Sequence, residues 1–307
     1  MNKNIKIATI LALGTAVISG FSNFANKLAV TAIKEPVFYT TLKNGLVAIL
    51  LIGLILTLGK WQEIRSLTRS QIIKLFAIGI VGGSIPFALY FIGLSQTSAL
   101  SASLIHKSLF IWVAILAIPF LKEKLSKWQW LGFAAVFAAN FLAGGFTGFK
   151  FGLGELLILA ATLLWTAENI IAKKALAGIS SLTVAAARMT IGSLILIPVA
   201  VQRGAHFSTL TSLSGAQWLS VALTVGLLFA YVTTWYTALR LAPASYVAAL
   251  LTPATLITNI LSALFITHSF DPSLVISSLL ISAGISLLMV FSKNHLLLEE
   301  GPNSSHA

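Results

Sequence analysis

The chain has 307 residues, 57% hydrophobic and only 9% charged, with a mean hydropathy of +0.95, and so large a deficit of charge excludes an ordinary soluble domain. Its formal net charge of +12 would suggest nucleic acid in a soluble protein, but here the basic residues fall in short gaps between apolar runs, where membrane orientation accounts for them and no nucleic-acid partner is expected. The absence of cysteine excludes disulfides and Cys-ligated metals.

Ten apolar runs follow in order, at 7–26, 36–58, 73–94, 98–121, 127–146, 153–173, 181–202, 216–239, 244–267 and 272–292. Most are near the ~20 residues that a helix rising ~1.5 Å per residue needs to cross a bilayer core. The fold class expected is therefore an all-α membrane protein of ten transmembrane helices. The first run, behind Lys3 and Lys6, has the look of a signal peptide, but it has a partner later in the chain and is read as a span. With the N-terminus inside, thirteen Lys and Arg residues fall in gaps on the cytoplasmic side and four (Lys27, Lys34, Lys150, Arg203) on the other. This bias places the protein in a plasma membrane of bacterial inner-membrane type, with both termini cytoplasmic.

The third run contains "GIVGGSIP", in which Gly79 and Gly83 offer a face for close helix approach and Pro86 interrupts the backbone above it. The fourth holds His106 and Lys107 well inside an apolar segment, where an ionisable group costs at least ~2.5 kcal/mol. Lys107 either serves a substrate or is a structural lysine that pairs or snorkels. Ser103, His106, Lys107 and Phe110 share one face, and in the ninth run Thr252, Thr255, Asn259 and Ser262 form a polar stripe beside Pro253. Both stripes are expected to face a central site, though hydroxyls and an amide also suit helix-to-helix hydrogen bonding. Tyr90, Phe91, Tyr231, Trp235 and Tyr236 are candidate walls, with lipid-facing positions as the alternative.

The sixth and seventh runs place Glu168 and Arg188 at depths of about 6 and 10 Å from one side, by rise per residue. They read as an ion pair that is either structural or part of a gate. Glu168 could instead neutralise Lys173 and Lys174. Lys43 has no carboxylate within any span; Glu35 lies two turns away. Either Glu168 or His106 could titrate in a coupling role.

An internal repeat ties these positions together. "SNFANKLA" from Ser22 matches "ENIIAKKA" from Glu168, pairing Asn23 with Asn169 and Lys27 with Lys173. At offsets of 145 or 146, Lys43 falls on Arg188, Lys107 on Thr252 and Tyr90 on Trp235. Residues 1–146 are read as one five-helix repeat, 147–294 as a second, and 295–307 as a short tail. Because five is odd the halves would be inverted, the architecture of carriers that alternate access around a site at the repeat interface.

On these residues the chain resembles the EamA-type transporters of the drug/metabolite transporter superfamily. The resemblance rests on "SNFANK", read as the end of the first helix, a basic residue in the second, "GLSQTSALSASLI" at the start of the fourth and "FLKEKLSKWQWLG" at its exit. It implies a ten-helix bundle with a central cavity, moving a small organic metabolite and often outward. Two departures stand out. His106 and Lys107 replace small or neutral residues, which points to an anionic or carboxylate-bearing substrate, and "ITHSFDP" stands where a Leu-Gly-Glu-like turn would be expected. The candidate binding set is thus Lys107, His106, Ser103, Thr252, Thr255, Asn259, Tyr90 and Trp235, with Glu168, Arg188, Asn23, Asn169 and Lys43 as gate or ion-pair residues.

Among the five histidines only His106 falls within a span, and no HExxH, nucleotide loop or Ser-His-Asp grouping occurs, so no enzyme activity, cofactor or metal is expected. The alternative to a transporter is a non-transporting membrane scaffold or receptor, with an intramembrane enzyme behind it. The bundle could act alone or as a homodimer.

Overall fold

The computed structural model describes residues 3–143, 152–205, 207–269 and 272–299, all of them helix or short connection with no strand among them. Lys150, the boundary expected at 146, His206, Phe270, Asp271 and the tail from 300 lie outside the described residues. The first half runs α1 (Lys3–Ile33), α2 (Pro36–Thr57), a short α3 (Trp61–Arg65), α4 (Arg69–Ile78), a π-helical turn (Gly79–Ser84), α5 (Ile85–Gln96), α6 (Ala99–Lys107), α7 (Leu109–Leu121) and α8 (Lys127–Ala143). The second runs α9 (Leu153–Ala175), α10 (Ser181–Gln202), a short α11 (Phe207–Thr211), α12 (Gly215–Leu241), α13 (Ala244–Ala249), α14 (Pro253–Ser262), a π-helical turn (Ala263–Thr267) and α15 (Ser273–Glu299). Among the described residues eight continuous or near-continuous helices are long and apolar enough to cross a membrane, and α15 adds the shorter apolar stretch Val275–Phe291.

Three details differ from the sequence reading. The first helix continues to Ile33, so Asn23 and Lys27 sit inside it rather than at its end. The Lys27 ammonium is accommodated there because it donates to Leu94 O (2.8 Å) and Thr97 O (2.6 Å), carbonyls left without helical partners at the end of α5. Lys173 does the same in the other half, donating to Leu239 O and Ala242 O, both at 2.7 Å. The fourth and ninth runs are each broken. At Ser108 the hydroxyl turns back on Ile105 O (2.7 Å), and at Leu250–Thr252 the chain reaches Pro253, which has no N–H to donate.

The packing exchanges with the halves. Helix α1 lies on α12 as α9 lies on α5; α1 meets α14 as α9 meets α6 and α7; α2 pairs with α10, and α8 with α15. Local backbone repeats too. Gly59 and Gly204 end α2 and the α10 region with φ of 65° and 90°, and Lys122 and His268 terminate their helices with φ of 57° and 50°. The departure at "ITHSFDP" therefore leaves the turn at His268 intact. What changes is the carboxylate. Glu123 accepts from the Ala244 N–H (2.6 Å) and from Ser245 at the start of α13, whereas at the start of α6 the Thr97 hydroxyl donates to Glu155 of α9.

Where α10 crosses the first π-helical turn, bare backbones touch. A Cβ on Gly192 would lie 2.2 Å from Gly83 O, and one on Gly83 would lie 2.1 Å from Arg188 O. This approach brings the middles of α2, α5, α9 and α10 around one small space.

Candidate functional site: a central polar cavity

That space is a small, partly open cavity walled by residues of α1, α2, α5, α6, α7, α9, α10 and α12. Helix α1 supplies a polar stripe, Ser19, Ser22, Asn23 and Asn26, at helical spacing. Helix α9 supplies the repeat counterpart, Trp165, Glu168 and Asn169. Phe87, Tyr90, Phe91, Tyr231 and Trp235 give aromatic walls, and Lys43, Arg188 and His106 complete the lining with Leu109 and Leu228.

The serine and asparagine oxygens of the two stripes, and one oxygen of Glu168, are already engaged. Ser19 accepts from Lys107 Nζ (2.7 Å) and Ser22 from Asn26 Nδ2 (2.9 Å). Asn23 Oδ1 accepts from the Tyr90 hydroxyl (3.2 Å), and Asn169 Oδ1 from Trp235 Nε1 (3.2 Å), the same contact made twice with the repeat. Asn26 Oδ1 takes the Tyr39 hydroxyl (2.6 Å) and Lys43 Nζ (2.9 Å), and Glu168 Oε1 takes the Tyr236 hydroxyl (2.6 Å).

The cations are held differently. Lys43, 1% exposed, has its ammonium 3.9 Å from the Phe91 ring centre, 5.1 Å from Tyr39 and 5.9 Å from Phe87. A desolvated cation–π contact contributes about 2 kcal/mol or more. Arg188 lies over the other side of the site, 5.4 Å from Phe87 and 5.8 Å from Tyr236. Gly82 packs against both Glu168 Cγ and Arg188 Nε, yet among the described residues no carboxylate oxygen comes within 4.0 Å of Arg188. Tyr236 stands between them, bonded to the carboxylate and facing the guanidinium with its ring. The π-helical turn also leaves Gly82 O free to accept from Trp165 Nε1 (2.9 Å), which sets the indole 4.8 Å from His106 and 5.4 Å from Tyr90.

Of the residues expected from sequence, His106, Tyr90, Trp235, Glu168, Arg188, Asn23, Asn169 and Lys43 line the cavity. Ser103, Lys107, Thr252, Thr255 and Asn259 do not. Ser103 accepts from Asn23 Nδ2 (3.2 Å) and Lys107 holds Ser19, so both stand one layer behind the wall. Thr252 turns its hydroxyl to Ala249 O (2.7 Å), and its helix packs on α1, where Thr258 donates to Gly20 O (3.1 Å). Sequence reasoning missed Ser19, Ser22, Asn26, Phe87 and Trp165. The 19-22-23-26 spacing in the first run was a readable signal.

Both ends of α2 and α10 are tied, by one contact that repeats and by others that do not. At one end Glu63 accepts from the Ser180 N–H (2.6 Å) and the Thr183 hydroxyl (2.9 Å), and Gln71 Nε2 donates to Gly178 O (2.9 Å). At the other, Arg203 pairs with Glu35 (3.3 Å) and Gln217 Nε2 donates to Ala32 O (2.9 Å). Gln71 and Gln217, like Gly178 and Ala32, are 146 residues apart. Partial burial raises the Glu63 carboxyl, but the bonds from Ser180 and Thr183, with Lys60 nearby, outweigh it and hold the group below its ordinary value.

The architecture is that of a multi-pass helical membrane protein with a polar, aromatic-walled cavity between two repeated halves. The model of the EamA-like transporter family matches residues 6–145 and again 152–290, so the chain belongs to that family. A solved structure described as "Crystal structure of protein" shares the fold, with a TM-score of 0.73 and 18% identity over 94% of this chain and 98% of that one. A comparison with curated proteins finds no match.

Proposed function

We propose that this chain is a secondary transporter that carries a small organic metabolite through the central cavity by alternating access. In this reading the two halves are inverted repeats of a ten-span bundle in the plasma membrane, with both termini cytoplasmic. The observation that carries it is the repeated tie, Gln71 to Gly178 at one end of α2 and α10 and Gln217 to Ala32 at the other, reinforced by a different contact at each end, Glu63 to Ser180 and Arg203 to Glu35. Two equivalent closures on either side of one cavity are what a carrier needs in order to open one end while the other stays shut. His106, Tyr90, Trp235, Asn23 and Asn169 form the substrate surface. Lys107 and Ser103 position it through Ser19 and Asn23, and Thr258 seats the broken helix against α1. Glu168 and Arg188, linked by Tyr236, are the charge pair that repacks between states.

Because the native chain has no cysteine, a single Ser22→Cys reports the cavity without background. A small membrane-impermeant thiol reagent is expected to modify it when applied to either face of sealed vesicles. Reaction from one face alone, or from neither, would overturn the reading.

A further inference from the structure

The cavity has more hydrogen-bond donors than acceptors to satisfy them. Lys43 has three N–H donors, and its one oxygen partner is the amide of Asn26. Among the described residues Arg188 Nε is buried with no acceptor, and His106 Nδ1 is buried without a partner of either kind. The serine and asparagine oxygens of the α1 and α9 stripes, by contrast, each already receive at least one donor, as does Glu168 Oε1. Formal charge leans the same way: Lys43 and Arg188 face the space against the single carboxylate of Glu168. A cationic solute would add donors and charge to a site already in surplus of both, and a neutral one could accept hydrogen bonds but would leave the excess positive charge unmatched. A carboxylate supplies only acceptors, and one negative charge cancels the surplus.

The rest of the wall restricts what carries that carboxylate. Phe87 lies within reach of both cations, and Trp165, Tyr90 and His106 form a cluster of rings tilted or edge-on to one another, at 44° to 61°. A flat apolar body finds ring faces and edges to pack against in such a wall.

Resting on the reading of this cavity as the transport site, we propose that its substrate is a small organic monoanion, a carboxylate on a flat apolar body without an ammonium group, received by Lys43 with Arg188 as second donor. Lys43 is thus a binding residue, and its three-ring cage is the resting place of the ammonium when no anion is bound.

The test is thermal unfolding and calorimetric titration of the purified full chain with a matched set: phenylacetate, phenylacetamide, which lacks the charge, and phenylglycine, which adds an ammonium. Phenylacetate is expected to raise the unfolding midpoint, with the other two at least tenfold weaker. Lys43→Met should weaken phenylacetate at least tenfold while unfolding cooperatively at or above the native midpoint, and Lys43→Arg should recover part of the affinity. The proposal is overturned if the amide or the zwitterion binds as well as the acid, if Lys43→Met binds phenylacetate like the native chain, or if none of the three binds. The Ser22→Cys labelling uses no solute, so two-sided labelling together with failure here would remove the substrate class and leave the carrier reading standing.

Discussion

Lys43 and Arg188 occupy equivalent places in the two halves, and their surroundings have diverged. Arg188 faces Tyr236, which bonds Glu168, so its charge has an anion close by within the protein. Lys43 has three aromatic faces and one amide oxygen. Repetition has preserved the backbone while one half became compensated and the other did not. An uncompensated buried cation persists against a cost of several kcal/mol, which is the physical reason to look for its anion outside the chain.

The largest expected effect comes from breaking the contact that holds the two sites together. Gly192→Leu would force a side chain into Gly83 O and should cost about 3 kcal/mol or more, read as a lowered midpoint or loss of the folded protein on purification. The next compares the sites directly. Glu168→Gln strands Arg188 and should destabilise the solute-free protein by about 3 kcal/mol, whereas Lys43→Met removes an uncompensated charge and should be neutral or stabilising. Equal losses from both would erase the distinction between the halves.

Much of this organisation could be read before any coordinates. The 145 or 146 offset already paired Lys43 with Arg188 and Asn23 with Asn169, because polar residues in an apolar background keep their register visibly. The cavity's depth was harder to read. Lys107 is the more conspicuous charge, yet a shift of one residue along α6 rotates a side chain by roughly 100°, and so His106 lines the cavity while Lys107 reaches Ser19. Trp165 on Gly82 O depends on the π-helical turn, which shifts the register of a helix whose sequence gives no count of its turns, and Tyr236 as the link between Glu168 and Arg188 depends on three helices meeting from distant parts of the chain.

Smaller effects sharpen the comparison at the ends of the helices. Each of Gln71→Ala and Gln217→Ala removes one side-chain hydrogen bond, about 1 kcal/mol, enough for roughly a fivefold population change. They should bias Ser22→Cys labelling toward opposite faces. Smallest is the pH effect at Glu63. Its carboxyl sits below its ordinary value in the fold, so its contribution is complete above the ordinary carboxylate range and is lost as pH falls through the folded value. Glu63→Gln should flatten that acid limb of the midpoint-against-pH curve, while the exposed Glu35–Arg203 pair contributes below about 1 kcal/mol at its end.

The most direct measurement of alternation is pulsed electron spin resonance on the cysteine-free chain carrying spin labels at Lys60→Cys and Ala177→Cys, and separately at Lys34→Cys and Gln202→Cys. The account predicts two distances at each end, with Gln71→Ala lengthening the first pair while it shortens the second, and Gln217→Ala doing the reverse. A single unchanging distance at both ends, or both ends opening together, would contradict it.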